Sequence, residues 1–434
     1  MGKKLIGAMA VVTGALWLLG APAPAVAQGH TWIGESLAQM IDTAGWRLGL
    51  LRVNAAFTLA NAGYDTDVYF GFLEEPVPDW TLTAGLPVQV LVPLGKKVVL
   101  DLSDTPQYLF YLDTERERAW NNTFNGKLHF ALDRVYVQAG GSMSDVRRRM
   151  SPELDINVRE KRDGLDGLFL WQASRATSFA FLYGWDRYDY GDAEYLGVDL
   201  SQLLDRDEQA FDLIIYVQPS SRIRLSLDGR YGTYRFADEA SSLRDARSYG
   251  AFGGIEFLPR AQDLGGGIVL RGRISLGYML FDIIDPGLAD GSGIAGEADV
   301  SADLTRRTSI RAFFSNGFQF SIYSGAAYYQ SMRYGAGLSQ RLSRRTTLSY
   351  DLLFGRTAYP EESGLQDLRD RYANHAFGLS FQLARHLEIS LMGTLSRRTR
   401  GDADVPRDRD FFGLSLTYGH MPSGTAPPAA GTVR

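Results

Sequence analysis

The sequence predicts an all-β fold, a transmembrane antiparallel up-and-down β-barrel of about 18 strands with both termini in the periplasm. Three observations carry that expectation. Segments of about ten residues recur in which one alternate set of side chains is apolar and the other polar, small or charged. The connections between them alternate short and long, as bacterial barrels require. No later stretch approaches the ~20 consecutive apolar residues of a membrane helix. Composition agrees: the 434 residues include 47 Gly, 22 Tyr, 23 Phe and no Cys, with a formal net charge of −5.

Taken in order, residues 1–27 read as a signal peptide. Lys3-Lys4 precede an apolar stretch from Leu5 to Leu19, and Ala25-Val26-Ala27 offers a cleavage site that leaves Gln28 first. The apolar run is short for the alternative, a single transmembrane anchor. Residues 28–45 form an N-terminal periplasmic segment in which Ile33, Leu37, Ile41 and Ala44 share one helical face. That face fits a short helix at the barrel rim or a movable plug. The barrel itself is expected over residues 46–419, and a flexible Pro/Ala-rich tail over 420–434.

Strand cores are placed at Trp46–Leu59, Trp80–Val92, Val98–Tyr111, Trp120–Leu132, Val135–Val146 and Ile156–Ala173. Next come Ser178–Tyr190, Ala210–Gln218, Ile223–Phe236, Tyr249–Leu258, Gly267–Ile283 and Ile294–Leu304. The last six are Ser309–Phe320, Tyr328–Leu342, Thr347–Tyr359, Arg371–Ala384, Leu387–Ser396 and Phe411–Tyr418. Asp67–Leu73 is either a further strand or the upper part of the first hairpin. The long connection Asp189–Asp207 has room for a helical turn across Val198–Leu204, which would partly constrict the pore.

The alternation also assigns faces. Ile223, Leu225, Leu227 and Tyr231 suit lipid, and the set between them does not. The same parity places Arg224, Asp228, Arg230, Arg271, Arg273, Glu297, Asp299, Asp303, Arg311, Arg333, Arg341 and Asp351 toward the lumen. These charges have both signs, and a two-signed wall with several Tyr suits a polyhydroxylated solute better than a small ion.

Other chemistry is sparse. Without Cys there is no thiolate nucleophile or zinc-thiolate site, and the five His are scattered. No G-x-S-x-G, H-E-x-x-H or P-loop motif occurs, so neither catalysis, cofactor nor metal is expected. The acidic charge balance opposes nucleic-acid binding. The acidic strings Asp189–Asp192, Asp205–Glu208 and Asp402–Asp410 lack EF-hand spacing and read as solvated loops. Leu-Ser/Thr-Arg-Arg-Thr occurs three times. At Leu304–Thr308 and Leu342–Thr346 it marks tight turns. At Leu395–Thr399 it lies at the other barrel end, where Arg397, Arg398 and Arg400 either meet lipid phosphates or stay exposed.

Ala62-Gly63-Tyr64-Asp65-Thr66-Asp67-Val68-Tyr69, Pro78-Asp79-Trp80, Val92-Pro93-Leu94-Gly95-Lys96-Lys97 and Tyr108-Leu109-Phe110-Tyr111, all within Leu48–Met143, form a recognisable run. It resembles the outer-membrane β-barrel porins encoded in bacterial exopolysaccharide-biosynthesis loci. The closing Arg407-Asp408-Arg409-Asp410-Phe411-Phe412-Gly413-Leu414-Ser415-Leu416-Thr417-Tyr418-Gly419 is similar to the last strand of those barrels. The resemblance implies passive export of an exopolysaccharide across the outer membrane. Its implied partners are outer-membrane lipid, the polysaccharide and periplasmic components of a secretion system. The alternative is a general or substrate-specific diffusion porin for small solutes, which an inward-folded loop with charges of one sign would favour.

Overall fold

Alternation builds the wall. The computed structural model describes residues 37–38, 40–72, 75–191, 193–195, 197–239, 241–258, 268–323, 325–401 and 405–421. The expected leader, Ile33 and nearly all of the expected tail lie outside them. The first six barrel strands are β1 (Leu51–Asp65), β2 (Asp79–Gly85 with Val88–Pro93), β3 (Val98–Asp104 with Gln107–Tyr111), β4 (Ala119–Ala131), β5 (Val135–Arg148) and β6 (Val158–Gln172). The next six are β7 (Thr177–Asp189), β8 (Arg206–Val217), β9 (Ile223–Phe236), β10 (Ala246–Phe257), β11 (Val269–Ile283) and β12 (Gly291–Asp303). The set ends with β13 (Thr308–Phe320), β14 (Tyr328–Arg341), β15 (Thr346–Ala358), β16 (Asp370–Ala384), β17 (Leu387–Arg400) and β18 (Val405–Gly419). Each pairs antiparallel with the next, and β18 returns to β1 through Ala56↔Gly419 to Asp65↔Phe411, so the eighteen-stranded sheet closes on itself.

The start differs from the sequence expectation. Trp46–Leu48 is not the foot of the first barrel strand but a separate short strand that turns back at Gly49 (φ 62°), pairing Trp46 with Val53. Glycine suits that positive φ, which other residues adopt at a cost. The foldback has a physical reason. β18 ends at Gly419, opposite Ala56, which leaves the lower edge of β1 without its neighbour. Trp46–Leu48 pairs with that edge, and the Trp46 and His420 rings meet at 5.3 Å. Asp67–Phe72, the described part of the expected extra segment, forms no strand.

The tight turns explain the recurring Arg-Arg-Thr motif. Thr305 Oγ1 accepts from the backbone N–H of Arg307 and of Thr308, both at 3.0 Å, and Ser343 Oγ accepts from Arg345 N–H at 3.1 Å. These hydroxyl-capped turns, with Pro93–Val98 and Ala131–Val135, define one end of the barrel, where both β1 and β18 also terminate. The long connections lie at the other end.

The outer face is apolar and exposed. Leu225, Leu227, Leu270, Leu276, Leu280, Leu391 and Leu414 all present side chains to the surroundings. Toward the long-loop end Tyr183, Phe211, Tyr231 and Tyr249 form a continuous row across β7–β10, with ring centroids 5.0–6.3 Å apart. Such a row is the interfacial girdle of a membrane barrel. Leu227→Arg places a charge in the lipid-facing band and is expected to cost about 2–4 kcal/mol. The measurement is the urea midpoint of heat-modifiable gel migration, which Asp299→Asn on the opposite face leaves nearly unchanged.

Candidate pore and its two closures

The strand faces opposite the lipid-exposed set carry charges that pair along one strand or across neighbouring strands. Arg230 contacts Asp228 at 2.5 Å, and Arg224 reaches Glu256 at 3.3 Å; all but Glu256 are buried. Arg273 pairs with Glu297 and Arg271 with Asp303, while Arg311 meets Asp299 at 2.5 Å. The Arg311 and Asp299 side chains are both more than half exposed, so this part of the face is open to water. Asp351 on β15 is exposed, close beside Gly337, and Arg341 stands at the short-turn end of β14. Arg333 lies higher on β14, opposite Gly355. Nine of the twelve expected positions are therefore paired, eight in four pairs and Arg224 with Glu256, all on β9 to β13; no single-sign ring results.

The short-turn end is occupied on the other half. Residues 37, 38 and 40–42 are helical, and Leu37 is buried against Leu91, Val99, Tyr136, Leu170, Ala180, Ile214 and Tyr216. These contacts come from β2, β3 and β5–β8, all near the short turns. Gly45 N–H then donates to Asn54 Oδ1 at 2.8 Å, which ties the segment to β1. Beside the apolar floor runs a polar chain. The His129 Nδ1 and Tyr136 hydroxyl are 2.7 Å apart, Tyr136 donates to Gln138, and Gln138 donates to Asp166 at 2.8 Å.

At the long-loop end the β5–β6 connection, residues 149–157, crosses the mouth. Glu153 accepts from Ser321 Oγ and Ile322 N–H, each at 2.7 Å, and from the Tyr359 hydroxyl at 2.8 Å. Asp155 binds Arg398 at 2.9 Å and Arg400 at 3.1 Å, and it accepts from Phe72 N–H. Those partners stand on β13–β17 and beyond β1, up to half the circumference away, so the segment spans the interior. Arg149 and Arg398 both donate to the carbonyl of Phe70, a non-glycine residue held at φ 47°. That left-handed backbone is uncommon for a bulky residue and marks strain. Asp370 completes the cluster with Arg398 at 2.6 Å and Arg400 at 3.1 Å. Three guanidiniums and two carboxylates thus share one buried knot. Further cover comes from the helix Leu200–Leu204, whose Leu200 and Leu204 pack with Leu154, Tyr188 and Ile322.

This geometry corrects one expectation. Only Arg397 is exposed, 3.9 Å from Asp408; Arg398 is buried and Arg400 nearly so, facing the interior rather than lipid phosphates. Two-residue alternation turns consecutive Arg side chains to opposite faces. Burial shifts the loop groups. It pushes Glu153 up to about 7 despite its three donors. Asp155 is lowered, because Arg400, Arg398 and Arg149 outweigh its own burial. Arg149 falls to about 9 through burial and its neighbour Arg398. Among the described residues no three His, Asp or Glu are grouped to hold a metal ion.

Comparison with known proteins fits this barrel. The family model described as "Putative beta-barrel porin 2" matches residues 171–418. The chain belongs to this porin family. No curated protein matches the sequence. Among solved structures, a BenF-like porin from Pseudomonas fluorescens Pf-5 superposes with a TM-score of 0.50 at 11% identity, covering 86% of this chain and 99% of that one. The outer membrane protein OprD from Pseudomonas aeruginosa gives 0.45 at 11% identity over 86% and 96% of the two chains. OpdL of Pseudomonas aeruginosa gives 0.45 at 13% over 85% and 98%. Family and fold together make the protein a porin-type outer-membrane barrel.

In this porin the residues that close the long-loop mouth escaped sequence reasoning. Arg149, Glu153, Asp155 and Asp370 lie in or beside aperiodic connections, and their partners are far away in sequence. The one available signal was parity at Arg398 and Arg400. Arg398→Ala leaves Asp155 and Asp370 short of countercharge in a buried site, an expected cost of about 3–5 kcal/mol. Limited proteolysis checks it: cleavage within 149–157 is expected to accelerate while heat-modifiable migration persists.

Proposed function

We propose that the protein is an outer-membrane channel, not an enzyme, through which small polar solutes diffuse, and that residues 149–157 set its bore. The observation that carries this reading is the β5–β6 segment, held by Glu153 and Asp155 to the far wall. An inward-folded loop narrows an 18-stranded lumen that would otherwise be a wide aqueous channel. The short-turn end is periplasmic in this reading, because bacterial barrels keep short turns there. Residues 1–27 act as the export signal. The paired, water-exposed charges at Arg311–Asp299 and Arg271–Asp303 keep the lumen wet without selecting one ion sign.

Export of an exopolysaccharide is the second reading. It is favoured by the resemblance over Leu48–Met143 and by the two-signed, tyrosine-bearing interior, and it requires the 149–157 segment to withdraw. Outer-membrane lipid surrounds the barrel in both readings. Periplasmic components of a secretion system are partners only in the second.

The decisive experiment is swelling of proteoliposomes in sugars of increasing size, alongside deletion of the gene in its host with polysaccharide measured outside the cell and in the periplasm. Passage of mono- and disaccharides with exclusion of long dextrans, and unchanged polymer, is expected. Excising residues 150–156 raises the size limit. Loss of external polymer on deletion, restored by the intact gene, would overturn the small-solute reading in favour of the second.

A further inference from the structure

Among the described strands the hydrogen-bond ladder of the wall is interrupted most widely at one seam. β12 and β13 pair from Asp303↔Ser309 only as far as Gly296↔Asn316. Both strands continue past that point, β12 along β11 to Phe281↔Gly291 and β13 along β14 to Phe320↔Tyr328. Residues 291–295 and 317–320 therefore face one another unpaired, the longest such break among the described strands.

The cause is the tip of the β13–β14 hairpin, which leaves the wall and leans inward. On β13, parity with Ile310 and Phe314 assigns Phe318 and Phe320 to the lipid face. Phe314 indeed stands opposite Tyr334, whose side chain is exposed. Yet Phe318 lies against Phe281 and Tyr328, with ring centroids at 5.9 and 5.4 Å. Phe320 meets Tyr234, Phe236 and Phe281 at 5.2, 4.9 and 5.4 Å. Tyr234, Phe236 and Phe281 are buried and alternate with the exposed set of their strands, so these contacts are interior.

Free backbone groups at a membrane wall are costly unless satisfied. Here side chains substitute for the missing rungs. Asn316 Nδ2 and Gln330 Nε2 donate to the carbonyl of Ile294 at 2.7 and 3.3 Å, and the Tyr328 hydroxyl donates to the carbonyl of Asp290 at 3.0 Å. The inward position is fastened from the other side by Glu153, which accepts from Ser321 and Ile322, and by Arg244, which donates to the carbonyl of Ser321.

We propose that the β13–β14 tip is the gate of this pore: folded inward it closes the lumen, and in a second state it zips onto β12, with Ile294 opposite Phe318 and Ser292 opposite Phe320. This rests on the pore reading above. In the zipped state both phenylalanines return to the lipid face, the seam regains backbone rungs, and Ile322 leaves the interior. The two arrangements exchange one set of satisfied groups for another, which is what a bistable element requires.

Acid favours the closed state. In the latch, Glu153 faces Arg244 from the β9–β10 connection, Tyr323 from the hairpin tip, Tyr329 on β14, and Tyr359 beyond β15; Tyr195 from the β7–β8 connection donates to its backbone carbonyl. Its pKa is raised to about 7 by burial, so the closed state holds the proton more tightly than a solvated carboxyl does. That stabilisation is complete below the ordinary Glu range and disappears as pH rises through about 7.

The test uses planar bilayers and the full chain, which has no native Cys. S292C/F320C is expected to form a disulfide on oxidation and lock the channel in a higher conductance, with dithiothreitol restoring wild-type closures. E153A is expected to raise the open fraction about tenfold, the effect of one charged hydrogen-bonded contact, and to flatten the fall in open fraction between pH 8 and pH 5. Heat-modifiable migration verifies folding of each variant. A conducting wild type in which the S292C/F320C disulfide never forms, or forms without raising conductance, overturns the gate alone, as does an E153A channel with wild-type closures. A wild type that passes neither current nor solute overturns the pore reading itself.

Discussion

Everything in this molecule follows from the need to satisfy backbone N–H and C=O groups where no water reaches. A sheet in hydrocarbon has no acceptable edge, so the chain must bring its last strand to its first. The β1–β18 pairing meets that demand, and where β18 stops short the strand Trp46–Leu48 supplies the remaining partner. Closure then fixes the rest. Every strand has one face in lipid and one in the lumen, and side-chain alternation is the only pattern that serves both.

That constraint explains how much was legible. Strand positions could be read to within a few residues because each strand must alternate, and the Ser and Thr turns announce themselves by composition. The largest misses fall at the long-loop ends, where β8 begins at Arg206, β17 runs on to Arg400 and β18 begins at Val405. Trp46 and Leu48 misled because they alternate with Arg47 and Gly49 as a strand must; the apolar set then slips to the odd positions Leu51, Val53 and Phe57, and alternation alone does not tell such a slip from a chain reversal. Phe318 and Phe320 obey the alternation of β13 although their rings turn inward, for the same reason. Of the mouth only the helical turn at Leu200–Leu204 was legible, inside the expected Val198–Leu204. Glu153 reaches Ser321 and Tyr359, separated from it by 168 and 206 residues, and no local periodicity encodes a contact of that range.

The charges divide into two populations with different physical roles. The exposed pairs such as Arg311–Asp299 are screened and contribute little to stability, and their value is a hydrated wall. The buried knot of Arg149, Arg398, Arg400, Asp155 and Asp370 loses hydration on every member, so its net stabilisation is modest, but any other arrangement strands a charge. Such a site specifies one position for the β5–β6 segment more than it strengthens the barrel.

The Leu37 segment has a consequence for assembly. Its side chains rest on the inner surfaces of β2, β3 and β5–β8, a floor that does not exist until those strands stand side by side. The segment precedes β1 in the chain and yet can find its seat only after β8 has joined the sheet. Docking of the N-terminus is thereby a late step, and it reports on a wall already formed.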